Sequence, residues 1–231
     1  MAVGPEGGKS SSLRRRRGAH VPALHRQRPP RHAADRARVR AEVILSRRTV
    51  LTPVGVHDAG DIIALHRDPR VVAQLIDGIP DEPWKVSIYL DWAAKLHARG
   101  IGPWAARRQG DGRFLGLYTL TPFNDGDDDL LEFGGRLARA AWPGGLSVEA
   151  GAALIDHAFE GLGRRELVSA HHPDNRAAAA ALARLGFGNP APETVFGRSA
   201  IVHRLDVATW RALGGRALPP SRGGGRMGEA R

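Results

Sequence analysis

The sequence contains no cysteine among its 231 residues. Without thiols the chain can form no disulfide, no thiolate nucleophile and no cysteine-ligated zinc site. A secreted fold held by disulfides is therefore excluded, and a reducing cytoplasm is the expected compartment. The sequence also lacks any apolar run near the ~20 residues that span a bilayer. The arginine cluster at residues 14–17 is followed by no apolar stretch, so it does not resemble a secretory signal and no membrane association is expected.

The formal net charge of the chain is +10 at pH 7, but the central part of the chain carries no excess of positive charge. Residues 1–48 contain 13 Lys and Arg and 3 Asp and Glu, and residues 213–231 contain 4 basic residues and 1 acidic residue. Residues 49–212 contain 17 basic and 20 acidic residues. Residues 49–212 therefore lack the excess of basic residues that is typical of a nucleic-acid-binding domain. A weak nucleic-acid contact through the basic N-terminal arm is one hypothesis, and a solvated tail is the other.

The composition divides the chain into three segments. Residues 1–42 are rich in Arg, Pro, His, Ser and Gly and follow no helical or strand period, which predicts a disordered basic extension. Residues 213–231, with their Pro-Pro and Gly-rich stretches, predict a flexible basic tail. Residues 43–212 between them are expected to form one folded domain.

The domain's elements follow from hydrophobic period, capping residues and turn signals. Their order alternates short groups of strands and helices, which indicates a mixed α/β layered fold. The Gly110-Asp-Gly sequence predicts a hairpin turn between two of the strands. The predicted helices are 58–66, 83–98, 147–162 and 175–185, and the predicted strands are 42–53, 104–108, 114–120, 130–137, 166–171 and 200–205.

A glycine-bearing turn connects the strand at 130–137 to the helix at 147–162, and it reads Trp142-Pro-Gly-Gly-Leu-Ser-Val-Glu-Ala. Free N–H groups and the helix dipole favour an anion at a helix N-terminus, and glycine permits close approach of a ligand. The feature is typical of a phosphate site and also of an ordinary turn. Its spacing matches neither a P-loop nor a dinucleotide fingerprint.

Two motifs at matching separation resemble the GNAT N-acetyltransferase superfamily, and its ribosomal-protein N-terminal acetyltransferase (RimJ/RimL-like) branch in particular. Residues 142–150 align without a gap with that branch's Trp-Gly-Lys-Gly-Tyr-Ala-Thr-Glu-Ala, matching at Gly145, Glu149 and Ala150. Asn175-Arg-Ala-Ala, running to Arg184-Leu-Gly-Phe, has the spacing of the family's Asn-x-x-Ser and Lys-Leu-Gly-Phe. The resemblance covers about residues 43–212. It implies a GNAT fold, whose central mixed and mostly antiparallel sheet is flanked by helices.

The resemblance implies acetyl transfer from acetyl-CoA, a cosubstrate, to a primary amine of a protein N-terminus or a small molecule, without a metal. Glu132 is the expected base, because it alternates with two apolar neighbours on its strand and its family counterpart lies near the thioester. A strand glutamate without a catalytic role is the alternative. Trp84 and Trp104 are candidates for the acceptor cleft, with core packing as the alternative. The expected CoA contacts are Leu137, Ala138, Trp142, Gly144, Gly145, Leu146, Ser147, Val148 and Asn175.

Three departures from the family pattern leave the catalytic role open. Pro143 replaces a glycine and removes one backbone donor. Ala178 stands at the family's serine position, and Leu182 stands where other branches place a tyrosine acid. The alternative function is therefore a weak or inactive GNAT-like sensor or scaffold that binds acyl-CoA. Both a monomer and a homodimer are compatible with the sequence.

Overall fold

The computed structural model describes residues 41–73, 75–76, 80–123, 129–142 and 145–215. The predicted N-terminal extension lies outside the described residues except for residues 41 and 42. The Ala41 backbone N–H donates to the His97 carbonyl at 2.8 Å, so the folded domain begins by residue 41. Of the predicted C-terminal tail, residues 213–215 are described and form a turn.

Strands and helices alternate along the chain much as the sequence predicts. The helices are α1 (Ala59–Arg67), α2 (Pro69–Val72), α3 (Pro83–His97), α4 (Leu146–Asp156), α5 (Arg176–Arg184) and α6 (Val207–Ala212), and a π-helical turn (His157–Gly161) extends α4. The strands are β1 (Ile44–Leu45), β2 (Thr49–Pro53), β3 (Gly102–Arg108), β4 (Phe114–Pro122), β5 (Leu131–Leu137), β6 (Glu166–His171), β7 (Gly188–Val195) and β8 (Arg198–Asp206).

All eight strands belong to one sheet, in the order β1-β2-β3-β4-β5-β6-β8-β7. Every neighbouring pair is antiparallel except β5 and β6, which run parallel. The predicted fold class, a mixed and mostly antiparallel sheet flanked by helices, is confirmed. The parallel junction separates a five-stranded half of the sheet from a three-stranded half.

Helices cover both faces of the sheet, and each face has its own apolar core. One face packs against α4 and α5 through a cluster that includes Phe133, Leu154 and Leu167. The other packs against α1 and α3 through Ile62, Val86 and Leu117. Because side chains alternate along a strand, β5 sends Leu131 and Phe133 to the α4 face and Glu132, which stands between them, to the α1 face.

Helices α2 and α6 and strand β7 are not among the predicted elements, and the predicted strand at 42–53 forms two strands, β1 and β2. Strand β7 was not predicted, because Pro190 and Pro192 interrupt its β pattern; it forms at the sheet edge, where a proline needs no ladder donor. Asp58 stands at the N-cap position of α1, but its side chain makes no capping hydrogen bond there. That carboxylate instead accepts from the Gly55 N–H at 2.9 Å and from Arg107 at 2.7 Å, and it is completely buried.

Candidate active site

The parallel strands β5 and β6 pair over only two residues and then separate. The paired positions are Leu131 with Leu167 and Glu132 with Val168. Both strands are fully described, and β5 continues to Leu137 without a β6 partner. A wedge-shaped opening therefore follows Glu132 in the middle of the sheet, and the backbone of β5 forms one of its sides.

The backbone groups on that side of the wedge follow from the pairing of β5 with β4. Ala138 donates its N–H to the Leu115 carbonyl at 2.9 Å, so this donor points toward β4. In an antiparallel ladder alternate residues turn their polar groups to opposite edges, so Leu137 and Gly135 direct their N–H groups into the wedge. The expected CoA contact at Leu137 fits this geometry. The N–H of Ala138 points away from the wedge, so the expected contact of Ala138 with CoA would use its carbonyl or side chain and stays a prediction.

Helix α4 begins at the open end of the wedge. Its N-cap is Gly145, which adopts a left-handed conformation with φ 70°. Glycine has no side chain to cap the helix, so the N–H groups of Leu146, Ser147 and Val148 in the first turn depend on other acceptors. These are three of the expected CoA contacts. The side chain of Val148 is buried in the core, so only its backbone can meet a ligand. Pro143 and Gly144 lie outside the described residues.

A cation lies beside this helix N-terminus. A terminal guanidinium nitrogen (Nη2) of Arg184 lies 3.8 Å from the position that a Cβ on Gly145 would occupy. The Arg184 Nε is buried and has no hydrogen-bond partner among the described residues. The helix dipole and the guanidinium both favour an anion at this end of the wedge.

Side-chain contacts hold the start of α4 against the sheet. The Tyr118 hydroxyl of β4 donates to the Ser147 carbonyl. Glu149 accepts from Ser46 Oγ at 2.8 Å, from the Arg48 backbone N–H at 2.6 Å and from Arg48 Nε at 2.7 Å. Tyr118 is buried, and burial raises the pKa of its phenol, so it acts as a neutral brace at physiological pH.

Glu132 lies at the narrow end of the wedge. Its side chain is partly buried and accepts from the Ala170 backbone N–H on β6, where β6 leaves β5. Burial raises the pKa of this carboxyl to about 7, and the Ala170 donor opposes the shift. A group with this pKa exchanges a proton readily near neutral pH, which suits a general base.

Asn175 and Trp142 are placed by hydrogen bonds of their own. The Asn175 side-chain oxygen accepts from the Ala178 N–H at 3.0 Å, so Asn175 is the N-cap of α5. Trp142 is exposed, and its indole N–H donates to the Leu137 carbonyl at 3.0 Å. This bond positions Trp142 over the end of β5, beside the start of α4.

The two tryptophans expected at the acceptor cleft occupy different environments. Trp104 is completely buried, and its indole N–H donates to the Glu42 carbonyl at 2.9 Å. Its side chain is therefore part of the core, and the expectation that it lines a cleft is wrong. Trp84 is exposed at the start of α3, where its indole N–H donates to Glu82 at 2.9 Å.

Sequence reasoning missed a polar pair on the same sheet face as Glu132. An Arg136 guanidinium nitrogen lies 3.0 Å from Nε2 of His66, which is buried on α1. The alternation of β5 could have placed Arg136 on that face. The sequence carries no signal for its contact with a histidine 70 positions away.

Two buried histidines, His171 and His203, lie side by side on β6 and β8. His171 turns its Nε2 to within 3.0 Å of His203 Nε2, while His172 is partly exposed. Within the described ranges, no three or more His, Asp or Glu side chains converge as a metal site would require. In the same part of the chain, no helix has the length and apolar character needed to cross a membrane.

The family model for the acetyltransferase (GNAT) domain matches residues 48–188. The chain belongs to the GNAT acetyltransferase family. It is therefore an acyltransferase, and the match covers β2 to the start of β7, including both sides of the wedge and the α4 N-terminus. The family predicted from the two sequence motifs is confirmed.

Relatives of this GNAT chain include enzymes and solved structures of the family. It is 28% identical over 160 residues to the FsC-acetyl coenzyme A-N(2)-transacetylase of Aspergillus fumigatus, across 65% of this chain and 66% of that protein. The match thus spans just under two thirds of the relative's length.

Solved structures show the same fold. An acetyltransferase from Agrobacterium tumefaciens is 25% identical with a TM-score of 0.60, covering 75% of this chain and 99% of that one. RimJ of Mycobacterium smegmatis, solved in complex with CoA-disulfide, is 19% identical with a TM-score of 0.59, covering 77% and 97%. The structural neighbours thus include a protein named for the branch that the sequence resembles.

Proposed function

We propose that this protein is an N-acetyltransferase that transfers the acetyl group of acetyl-CoA to a primary amine. The observation that carries the proposal is the position of Glu132 at the closed end of the wedge. The pKa of its carboxyl is about 7, and the open end of the wedge favours an anion. A cysteine-free composition agrees with a cytoplasmic setting.

The chain's groups fit the parts of acetyl-CoA in order along the wedge. The first-turn N–H groups of α4 and the Arg184 guanidinium would hold the pyrophosphate. The outward N–H groups of Gly135 and Leu137 would bind the amide-bearing arm or the thioester carbonyl. Glu132 would then lie near the acetyl group. Trp142 and Asn175 flank this path, as the family resemblance implies.

In the proposed reaction Glu132 accepts a proton from the acceptor ammonium, directly or through a water, so that the neutral amine can attack the thioester carbonyl. A C–N bond forms and the C–S bond breaks, and the CoA sulfur leaves as a thiolate. The second proton lost by the attacking nitrogen passes to that thiolate, so CoA is released as the thiol. A thiol of this kind has a pKa near ~8.5, so the thiolate leaves without a strong acid. The absence of serine and tyrosine at positions 178 and 182 is therefore compatible with catalysis.

The test is thiol release from acetyl-CoA over an amine panel, with product acetylation confirmed by mass. Glu132→Gln is expected to lower kcat/KM by about 10²–10⁴ and to move its rising pH limb from near pH 7 to higher pH. Glu193→Gln, a matched substitution on edge strand β7, is the control and should leave the profile unchanged. An unaltered pH profile in Glu132→Gln would reject the base role.

A second candidate is a non-catalytic acyl-CoA sensor or scaffold. Ala178 and Leu182, at positions where relatives of the family place a serine or tyrosine, favour it. Saturable acetyl-CoA binding with no transfer to any amine would support the sensor and contradict the enzyme.

The acceptor is proposed only as a class. The fungal relative's name describes acetyl transfer involving acetyl coenzyme A and an N(2) nitrogen, and an amine acceptor agrees with that. A protein N-terminus agrees with the resemblance to the ribosomal-protein branch. The predicted nucleic-acid contact of the arm stays a prediction: deleting residues 1–42 should weaken heparin retention, and unchanged retention would contradict it.

A further inference from the structure

Glu149 stands in the first turn of α4, and its carboxylate is bonded to the turn between β1 and β2. One carboxylate oxygen accepts from Ser46 Oγ at 2.8 Å and from the Arg48 backbone N–H at 2.6 Å. The other oxygen accepts from Arg48 Nε at 2.7 Å. These three bonds form a clamp between the edge of the sheet and the helix end that lies at the open end of the wedge.

The turn that supplies these donors is itself fixed by hydrogen bonds. Thr49 is completely buried, and its backbone N–H donates to Ser46 Oγ at 3.1 Å. Gln109, which follows β3, donates from its side-chain amide to the Ser46 carbonyl at 2.6 Å. The Gln109 backbone N–H donates to the Arg48 carbonyl at 2.8 Å. The donors are therefore held in place by the sheet, and the clamp fixes the first turn of α4 relative to it.

The clamp also controls the charge at this helix end. A carboxylate in the first turn competes with a phosphate, because the same free N–H groups and the same end of the helix dipole attract both. Here both oxygens of Glu149 are bonded to donors outside the helix, and the Arg48 guanidinium lies against its charge. Burial opposes ionisation, but the bonds from Arg48 and Ser46 outweigh it and lower the pKa of Glu149, so it is ionised at neutral pH.

We propose that Glu149 is a positioning residue for acetyl-CoA, which sets the first turn of α4 through the clamp and keeps its own charge from opposing the pyrophosphate. The inference rests on the proposed function, because it takes the first-turn N–H groups as the pyrophosphate site. In this role Glu149 acts without touching the ligand. Its effect therefore depends on whether a ligand carries a pyrophosphate, and the reacting thioester has no part in it.

A direct contact of Arg48 with a phosphate makes the opposite prediction. The Arg48 side chain is partly exposed while it is bonded to Glu149. If its guanidinium bound the ligand itself, neutralising Glu149 would release it for the phosphate and strengthen binding. The sign of the change in affinity thus separates the two roles.

The experiment measures dissociation constants of the full-length protein for three ligands. CoA and 3′-dephospho-CoA both carry the pyrophosphate and are titrated by calorimetry, and pantetheine, which lacks it, is titrated by NMR. Glu149→Gln is expected to weaken both pyrophosphate ligands by a similar factor of about 10, because charge-assisted hydrogen bonds are lost, and to leave pantetheine unchanged. In transfer assays KM for acetyl-CoA should rise by the same factor, with kcat little changed.

Glu160→Gln is the matched control, because it breaks an exposed ion pair with Arg211 on the π-helical extension of α4. It should bind all three ligands like the wild type. CoA binding by Glu149→Gln that equals or exceeds the wild type would overturn the inference, and so would a loss that pantetheine shares.

If Glu149→Gln does not fold, Ser46→Ala decides, since it removes one donor to the carboxylate. It should cause a smaller loss that is confined to the two pyrophosphate ligands, and unchanged affinities would contradict the inference. Failure to transfer acetyl to any amine would refute the proposed function, whereas the dissociation constants decide the role of Glu149 without any transfer.

Discussion

Replacing Glu132 by glutamine should stabilise the protein, and the gain should depend on pH. Burial holds the folded-state pKa of this carboxyl at about 7, whereas the ordinary pKa of a glutamate in an unfolded chain is 4.5. Below pH 4.5 both states are protonated and the substitution changes the free energy of unfolding little. Between pH 4.5 and 7 the unfolded chain ionises while the folded protein keeps its proton, so the wild type loses stability as the pH rises. Above pH 7 the loss is complete.

The size of the effect follows from the same pKa values. Each pKa unit corresponds to about 1.4 kcal/mol, so the full penalty is about 3 kcal/mol, and solvent around the partly exposed carboxyl reduces it to about 2–3 kcal/mol. Glutamine is neutral at every pH and can still accept from the Ala170 N–H. For a domain of this size, 1 kcal/mol moves Tm by about 2–4 °C.

Thermal unfolding from pH 4 to pH 8 measures this difference. The Tm of Glu132→Gln should rise above that of the wild type by about 4–12 °C at pH 8 and by almost nothing at pH 4. Glu193→Gln is the control, because a partly exposed strand glutamate in a surface ion pair contributes little to stability. A stability difference that is the same at both pH values would refute the assignment of a raised pKa to Glu132.

Three further substitutions test parts of the site and its support. Gly145→Ala should lower stability by about 1 kcal/mol through its left-handed backbone and raise KM for acetyl-CoA; an unchanged KM would contradict a phosphate role for the turn. Asn175→Ala should cost about 1 kcal/mol in thermal unfolding, with Asn175→Ser close to wild type, and equal losses in both variants would argue against the cap. Trp104→Ala should cost about 3–5 kcal/mol in urea unfolding, and full stability would contradict its core position.

Sequence reasoning located the parts of the site that depend on local pattern. The alternation of β5 placed Glu132 opposite Leu131 and Phe133, and the structure puts those two in the α4 core and Glu132 outside it. The glycine turn before α4 and the cap at Asn175 were also readable, because each is set by residues within a few positions. Such features need only local backbone preferences.

The rest depends on contacts between distant elements. His66 meets Arg136 because α1 packs over β5, and neither residue lies in a motif. Trp104 looked equally suited to a cleft or a core, and the packing of α4 and its π-helical turn decides for the core. The register of β5 with β4 decides whether the N–H of Ala138, just after β5, points toward β4 or into the wedge. The sequence does not specify that register.

The short parallel junction also affects how the sheet holds together. Among the described residues, β5 and β6 join the two halves by backbone pairing at Leu131–Leu167 and Glu132–Val168 alone, so most of the attachment seen there is side-chain packing beneath the sheet. The five-stranded and three-stranded halves are therefore natural units of local opening, with amide exchange fastest along the unpaired length of β5. A ligand bonded to that length would complete the interrupted ladder, and the two halves would then exchange as a single cooperative unit.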